Sequence, residues 1–439
     1  MDADYRGFYP RYPRISALSA VFLLQTTLRK RHSGQVAIPV FLRVLCVLGA
    51  SSFVNLPSQF LAPHLINPRQ IPPPNIALTF PEISGISRRV KRIGIFTKFE
   101  MGGGSEFRAA EMAAAISQLP GYHAVLLAER KIAERLLPAI GKKVEVHEGI
   151  FSAPDLAPLY SVDHLLVINT DSRHFTTLDY WQGKTGRHSH PVDLSRIQQM
   201  TFLFNFIVSP SIQLPALQAK APDVRIITTN SKFFKEISEQ ARYEPVRHYP
   251  RLQLESPINP LVAKPKTKSR RLRFGMHSLA MAYKWNQELP DLIQRVLAVH
   301  GDRISWDFMG MTAEVRERIR EENVTVRREF ELPVAEFLRG IDVFVFFLGW
   351  GREEAWARSA GEALMSGCPV ITTAKGGNMD QVLHGNTGFL CRSLDDFAAH
   401  CARLIEDPDL VQTMRRNARK AAKRFASASV ARRFLEFIK

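Results

Sequence analysis

Two glutamates separated by seven residues, Glu354 and Glu362, stand in the segment GWGREEAWARSAGEALMSGCPVITTAKGGNMDQVLHGNTGFL over residues 349–390. If a helix begins near Ala357, Glu354 lies just before it and Glu362 in its second turn, so both carboxylates face one pocket beside the positive helix end. Carboxylates placed in this way accept hydrogen bonds from ribose and sugar hydroxyls, while the backbone N–H groups of a helix start receive a diphosphate. A glutamate taken singly is ordinarily a solvated helix residue; the glycines and Pro369 around these two alter that balance. A second glycine group, Gly102-Gly103-Gly104, sits between an apolar run over residues 92–97 and a helical pattern over 106–119. Its bare backbone lets a ligand approach closely. It is no dinucleotide fingerprint, because the position that requires a third glycine holds Phe107 and Glu129 is a weak substitute for the ribose-binding acid.

The elements that position these residues alternate between short apolar runs and helical periods, the pattern of βα units around a parallel sheet. In a first series, strands are expected over 92–97, 123–128, 164–169, 201–207 and 224–229, with Asn230-Ser231-Lys232 capping a helix to Arg242. Residues 243–270 lose the periodicity, collect prolines and basic residues, and read as a linker. A second series follows: strands over 272–277, 305–309, 324–327, 342–348 and 369–373, and helices over 289–300, 312–322 and 357–366, with further helices to the end. The expected architecture is α/β, two doubly wound domains facing a cleft, with ligand at the carboxyl ends of the strands.

The Glu354 segment resembles the retaining GT-B glycosyltransferases of the family-four, glycogen-synthase and mannosyltransferase type. Their C-terminal signature runs E-x7-E, A-x-x-x-G-x-P-V-I, G-G-x-x-E and G-x-x-G. It stands here as Glu354, Glu362-Ala363, Gly367, Pro369-Val370-Ile371, Gly376-Gly377 with Asp380 in place of the glutamate, and Gly385 with Gly388. The resemblance extends over residues 90–439 and implies a GT-B fold with Rossmann-like domains at 89–242 (acceptor side) and 271–439 (nucleotide-sugar side); it leaves untouched the segment over 1–88, which its composition marks as a basic, acid-poor extension. It implies that Glu362 holds the donor ribose and Glu354 contacts the donor sugar. The pyrophosphate region falls to Gly376, Gly377 and the helix start near Ser359. Gly103 and Gly104 match the glycine-rich loop beside the donor phosphates and acceptor, and Lys284 matches the lysine of a phosphate-binding basic pair. Met276 stands where relatives often carry the arginine of that pair. An acceptor-side histidine is sought among His164, His174 and His188, with His174 favoured; His277 reads as a packing residue near a strand end. The resemblance further implies retention by front-face attack, no metal, and no cofactor beyond the nucleotide-sugar substrate. In relatives the last helix, over 430–439 here, crosses back to the first lobe.

Composition sets the outer bounds. With 439 residues, 45% hydrophobic and 23% charged, the chain is an ordinary globular protein of two or three domains. A formal net charge of +17 favours phosphate-rich partners: activated nucleotides, anionic headgroups or nucleic acid. No zinc finger, helix-turn-helix or aromatic RNA-binding signature supports specific nucleic-acid binding. Cys46, Cys368, Cys391 and Cys401 show no C-x-x-C spacing, which suggests free thiols in a reducing cytosol. Residues 5–81 contain no Asp or Glu but eight basic residues, and two apolar runs there fall short of a spanning helix. This segment reads as a targeting leader, a peripheral anchor at the inner membrane face, or an extension with no function of its own. The expected partners are a nucleotide-sugar donor, a glycan or lipid-linked acceptor and an anionic membrane surface. Two other readings compete: a non-catalytic sugar-nucleotide or polyanion binder, and a sugar-nucleotide epimerase or phosphorylase on the same scaffold.

Overall fold

Runs that are apolar at every position form strands covered by helices on both faces, which is the situation of a parallel sheet. The computed structural model describes residues 89–439 apart from 100–102, 153–155, 170–174, 176, 205–216, 218, 222, 233, 236–252, 257 and 259–270. The leader over 1–88, His174, the end of the strand expected over 201–207, the helix beyond residue 235 and most of the 243–270 linker lie outside the described residues. The first sheet comprises β1 Lys91–Thr97, β2 Tyr122–Ala128, β3 Glu145–His147, β4 His164–Asn169, β5 Met200–Phe204 and β6 Val224–Thr228. Its strands are parallel in the order β3-β2-β1-β4-β5-β6. The second comprises β7 Leu272–His277, β8 Ile304–Met309, β9 Val324–Arg327, β10 Val343–Phe346, β11 Val370–Thr373 and β12 Gly388–Cys391. Its order is β12-β11-β10-β7-β8-β9, again parallel.

Both sheets therefore share one doubly wound order. The winding reverses between β1 and β4 in the first and between β7 and β10 in the second, and ligands of such sheets bind outside the strand ends at those reversals. This is the GT-B architecture of two Rossmann-like domains. The two segments that carry the candidate chemistry, after β7 and after β10, flank the reversal of the second sheet.

Helix Leu289–His300 follows its apolar period, burying Leu289, Leu292, Ile293 and Val296 against the second sheet. The helix expected over 312–322 is shorter, Ala313–Arg316. Val315 is its one buried residue, and the chain then tightens into i→i−3 bonds from Arg318 and Ile319 before the polar stretch at 320–323. Ile319, half-buried, still packs on the core of the second lobe, so the segment stays on the sheet in a tighter turn rather than a longer helix.

The lobes are joined by more than chain connectivity. Leu254 N–H donates to Thr228 C=O at 2.8 Å, extending the edge of the first sheet into the linker. Ile258 then exchanges backbone hydrogen bonds with Phe425 and Ser427, where the C-terminal helices turn back. The terminal helix Ser427–Phe437 buries Val430, Ala431, Phe434 and Leu435 in the core of the first lobe, beside the glycine-loop helix Gly104–Ile116.

Candidate functional site

Three cross-links knit the segments that follow β7 and β10. Asn286 Nδ2 donates to Leu348 C=O at 3.0 Å, Trp350 Nε1 donates to Glu288 Oε2 at 2.9 Å, and the Lys284 ammonium pairs with the Glu354 carboxylate. Lys284 closes a tight turn, Ala282–Lys284, just after β7, with its ammonium 5.1 Å from the Tyr283 ring centroid. Lys284 and Glu354 thus lie together, both largely screened from solvent.

Glycine geometry places Glu354. Gly376 takes the left-handed conformation at φ 53°, and a Cβ there meets Glu354 C=O at 2.5 Å. At Gly377 a Cβ meets Ala355 C=O at 2.0 Å, and its N–H donates to Glu354 C=O at 2.8 Å. These two glycines therefore lean on the backbone that carries Glu354, a contact that any side chain at either position obstructs. Gln381 completes the support, since its amide donates to Ala357 C=O at 2.8 Å and accepts from Ala357 N–H at 3.0 Å.

The helix Arg358–Ser366 follows. Its first intrahelical bond runs from Gly361 N–H to Ala357 C=O, so the amides of Arg358, Ser359 and Ala360 precede the ladder and carry the partial positive charge of a helix start. Glu362 lies one turn on, buried. Its Oε1 accepts from Arg358 Nε at 2.8 Å, and its Oε2 stands 3.5 Å from His277 Nε2. Burial pushes the Glu362 carboxyl above its ordinary value while Arg358 pulls it down. Burial, together with the Arg358 charge, holds the His277 imidazole at about 3, so His277 is neutral and its contact with Glu362 is not an ion pair.

Arg358 was not visible from sequence spacing. Its Nη1 and Nη2 donate to Glu111 of the glycine-loop helix at 2.9 and 2.8 Å, and its guanidinium lies 4.8 Å from the Phe107 ring centroid. Gly104 approaches from the same side; a Cβ on it comes 3.8 Å from the Arg358 Cβ. Gly103 is the residue before that helix, its N–H donating to Glu106 Oε2 at 2.6 Å. Gly104 and the helix it opens in one lobe thus face the helix start of the other. The sequence signal that was present, charged Arg108 and Glu111 among the buried positions of an alanine-rich helix, gives no partner.

Other candidates fall elsewhere. Met276 is fully buried in the core of the second lobe, and the group at the strand end beside Glu362 is His277. His164 is the first residue of β4, at the amino edge of the sheet and so opposite the cleft; it is buried against Gln199, Thr201 and Phe434. His188 stacks on Phe151 with ring centroids 4.0 Å apart. Asp380 joins the lobes, accepting from Ser231 N–H at 2.6 Å and Ser231 Oγ at 2.8 Å.

Residues 310–421 match the family described as "Glycosyl transferases group 1". The Bacillus subtilis (strain 168) protein named "Putative glycosyltransferase YtcC" is 40% identical over 82 residues, 18% of this chain and 20% of that protein. The chain therefore spans about a fifth of that relative's length. Among solved structures, Anabaena Alr3699/HepE in complex with UDP and glucose superposes with a TM-score of 0.57 at 17% identity, covering 79% of this chain and 98% of that one. Sucrose-phosphate synthase from Thermosynechococcus elongatus does so with a TM-score of 0.53 at 14% identity, covering 79% and 98%. The chain thus has the GT-B fold, and its residues 310–421, with Glu354 and Glu362 among them, match the glycosyl transferases group 1 family.

Proposed function

We propose that the protein transfers a sugar from a nucleotide-sugar donor to a hydroxyl of a glycan or lipid-linked acceptor, with retention at the anomeric carbon. The observation that carries this reading is the pairing of Glu354 with Lys284 and of Glu362 with Arg358 at the reversal of the second sheet. Glu362 Oε2 accepts from the ribose hydroxyls. Lys284 exchanges from Glu354 to the donor diphosphate, which frees Glu354 to accept from hydroxyls of the transferred sugar. As the glycosidic bond breaks, Lys284 and the amides at Arg358–Ala360 stabilise the charge on the leaving nucleoside diphosphate, an electrostatic contribution made by groups already in place. The acceptor attacks from the face that the diphosphate leaves, and a phosphate oxygen takes its proton. This route invokes no metal and no cofactor beyond the donor. The HepE neighbour, solved with UDP and glucose, supports a hexose donor.

No helix among the described residues is long and apolar enough to cross a membrane. With eight basic and no acidic residues over 5–81, contact with an anionic membrane face belongs to the same proposal.

The test is calorimetric binding of UDP, GDP, ADP, CDP and dTDP, then release of free sugar from the matching nucleotide sugar. The bound ribonucleotide is expected to weaken about tenfold or more in E362Q, since a hydrogen bond to a charged group contributes roughly 1.5–3 kcal/mol. E354Q is expected to retain nucleotide affinity and lose sugar release. A nucleotide held equally by wild type and E362Q overturns the site assignment, and binding without turnover on any nucleotide sugar overturns the enzymatic one.

A further inference from the structure

The Arg358 guanidinium joins carboxylates from opposite lobes. Its Nη1 and Nη2 meet Glu111 in a fork, at 2.9 and 2.8 Å, and its Nε meets Glu362 Oε1 at 2.8 Å. Glu111 lies on helix Gly104–Ile116 in the first lobe, its side chain 5% exposed. A guanidinium fork can grip a carboxylate through both oxygens at once. With the fork on Glu111, Glu362 receives Nε on one oxygen, and its other oxygen stands 3.5 Å from a neutral His277. Were the fork to swing onto Glu362, it would cover the oxygen that a ribose hydroxyl needs.

Further first-lobe groups hold the same stretch. Asn230 Nδ2 donates to Ala355 C=O at 2.7 Å, and Lys232 Nζ meets Glu353 at 2.6 Å. Glu353, Ala355 and Arg358, which bracket Glu354 and the helix start, are thus each gripped from the opposite lobe.

We propose that Glu111 is a positioning residue for the donor site: it holds the Arg358 fork away from Glu362, so that nucleotide affinity in the second lobe depends on a carboxylate of the first. This rests on the reading of Glu362 as the ribose acceptor. The device works by geometry, since Glu111 itself touches Arg358 and the ligand touches Glu362. It also couples donor binding to lobe contact, because separating the lobes withdraws Glu111 and releases the fork.

The experiment is calorimetric titration of the full chain with whichever nucleoside diphosphate of the panel binds wild type best. The variants are E111Q, E111D, R358Q, E111Q/R358Q and E362Q, each with a thermal melt in parallel. E111Q is expected to weaken binding at least tenfold. E111D, which keeps the charge, is expected to recover at least half of that loss on a logarithmic scale. The double variant, which removes the fork together with its holder, is expected to bind within threefold of R358Q, because Glu111 acts only through the fork. A purely structural role for Glu111 would weaken the double variant relative to R358Q by the same factor as E111Q is weakened relative to wild type, and that result overturns the proposal, as does an E111Q that binds like wild type. Loss in E362Q with none in E111Q defeats this inference alone. No loss in E362Q, or no binding of any nucleotide by wild type, defeats the donor-site reading beneath it.

Discussion

Gly377→Ala is a one-carbon change whose effect on turnover follows from the geometry around Glu354. Gly377 has φ −66°, which alanine adopts without strain, so the cost is steric rather than conformational. The new Cβ lies 2.0 Å from Ala355 C=O and 3.1 Å from the Trp356 Cα, both backbone atoms. Reaching ordinary van der Waals contact requires the two backbones to part by roughly 1 Å or more, which also stretches the 2.8 Å hydrogen bond from Gly377 N–H to Glu354 C=O. Overpacking of this kind costs about 1–3 kcal/mol, and the lost bond about 1 kcal/mol. The functional effect is larger than the stability effect, because a displacement of about 1 Å in a catalytic group lowers rate by about 10²-fold. Sugar release from the matching nucleotide sugar, measured with nucleotide affinity, should therefore fall about 100-fold while affinity, governed by Glu362, changes less than fivefold. Gly351→Ala, in the loop that carries Glu354 but with nothing within 4 Å of its Cβ, should stay within twofold of wild type. A Gly377→Ala protein within threefold of wild-type turnover would refute the claim that this glycine sets the position of Glu354.

Three further outcomes follow from the structure. Lys284→Met removes the partner of Glu354 and should lower sugar release at least 100-fold, with weaker diphosphate binding in the same titration; unchanged diphosphate affinity would remove Lys284 from the phosphate site. His277 and His164 are held, chiefly by burial, at about 3 and about 4 against an ordinary 6.5, so below pH 6.5 the unfolded chain takes up protons that the native chain refuses. Each therefore contributes stability that is fully present above pH 6.5 and falls by about 1.4 kcal/mol per pH unit toward the native value; denaturant unfolding between pH 7 and 4.5 should be less steep in H277N and H164N, and a slope equal to wild type contradicts this. Phe434→Ala empties a fully buried site where the terminal helix enters the first lobe, beside the His164 ring, and should lower stability by about 3–5 kcal/mol in a melt. An unchanged melt would mean that the terminal helix contributes nothing to the first lobe.

The parts legible from the sequence were those whose cause is local. Helix Leu289–His300 announces itself by its apolar period, and the strands by runs such as those at β1 and β10, because burial on both faces leaves no polar position to confuse the pattern. The spacing of Glu354 and Glu362 was equally readable, since both sit around one helix start. The residues that hold them were not. Glu111 and Arg358 are 247 positions apart, and Asp380 reaches Ser231 across 149. Such contacts depend on how two lobes meet, which no window of the sequence records. Met276 shows the converse: an aligned position named a ligand-facing residue, whereas the alternation of β7 turns its side chain into the core and leaves His277 beside Glu362. The expectation for residues 312–322 failed in length, as Val315 and Ile319 keep the apolar face on the core while the chain after Arg316 tightens into i→i−3 bonds.

The central claim is that Glu362 receives the ribose of an activated sugar at the start of helix Arg358–Ser366. A crystal structure of the protein with the nucleoside diphosphate that it binds tests this most directly. The account predicts a ribose hydroxyl within about 3 Å of Glu362 Oε2, the Arg358 fork still on Glu111, and the diphosphate between Lys284 and the amides that open the helix. A nucleotide lodged elsewhere, or one bound here with Glu362 still closed off by Arg358, would contradict it.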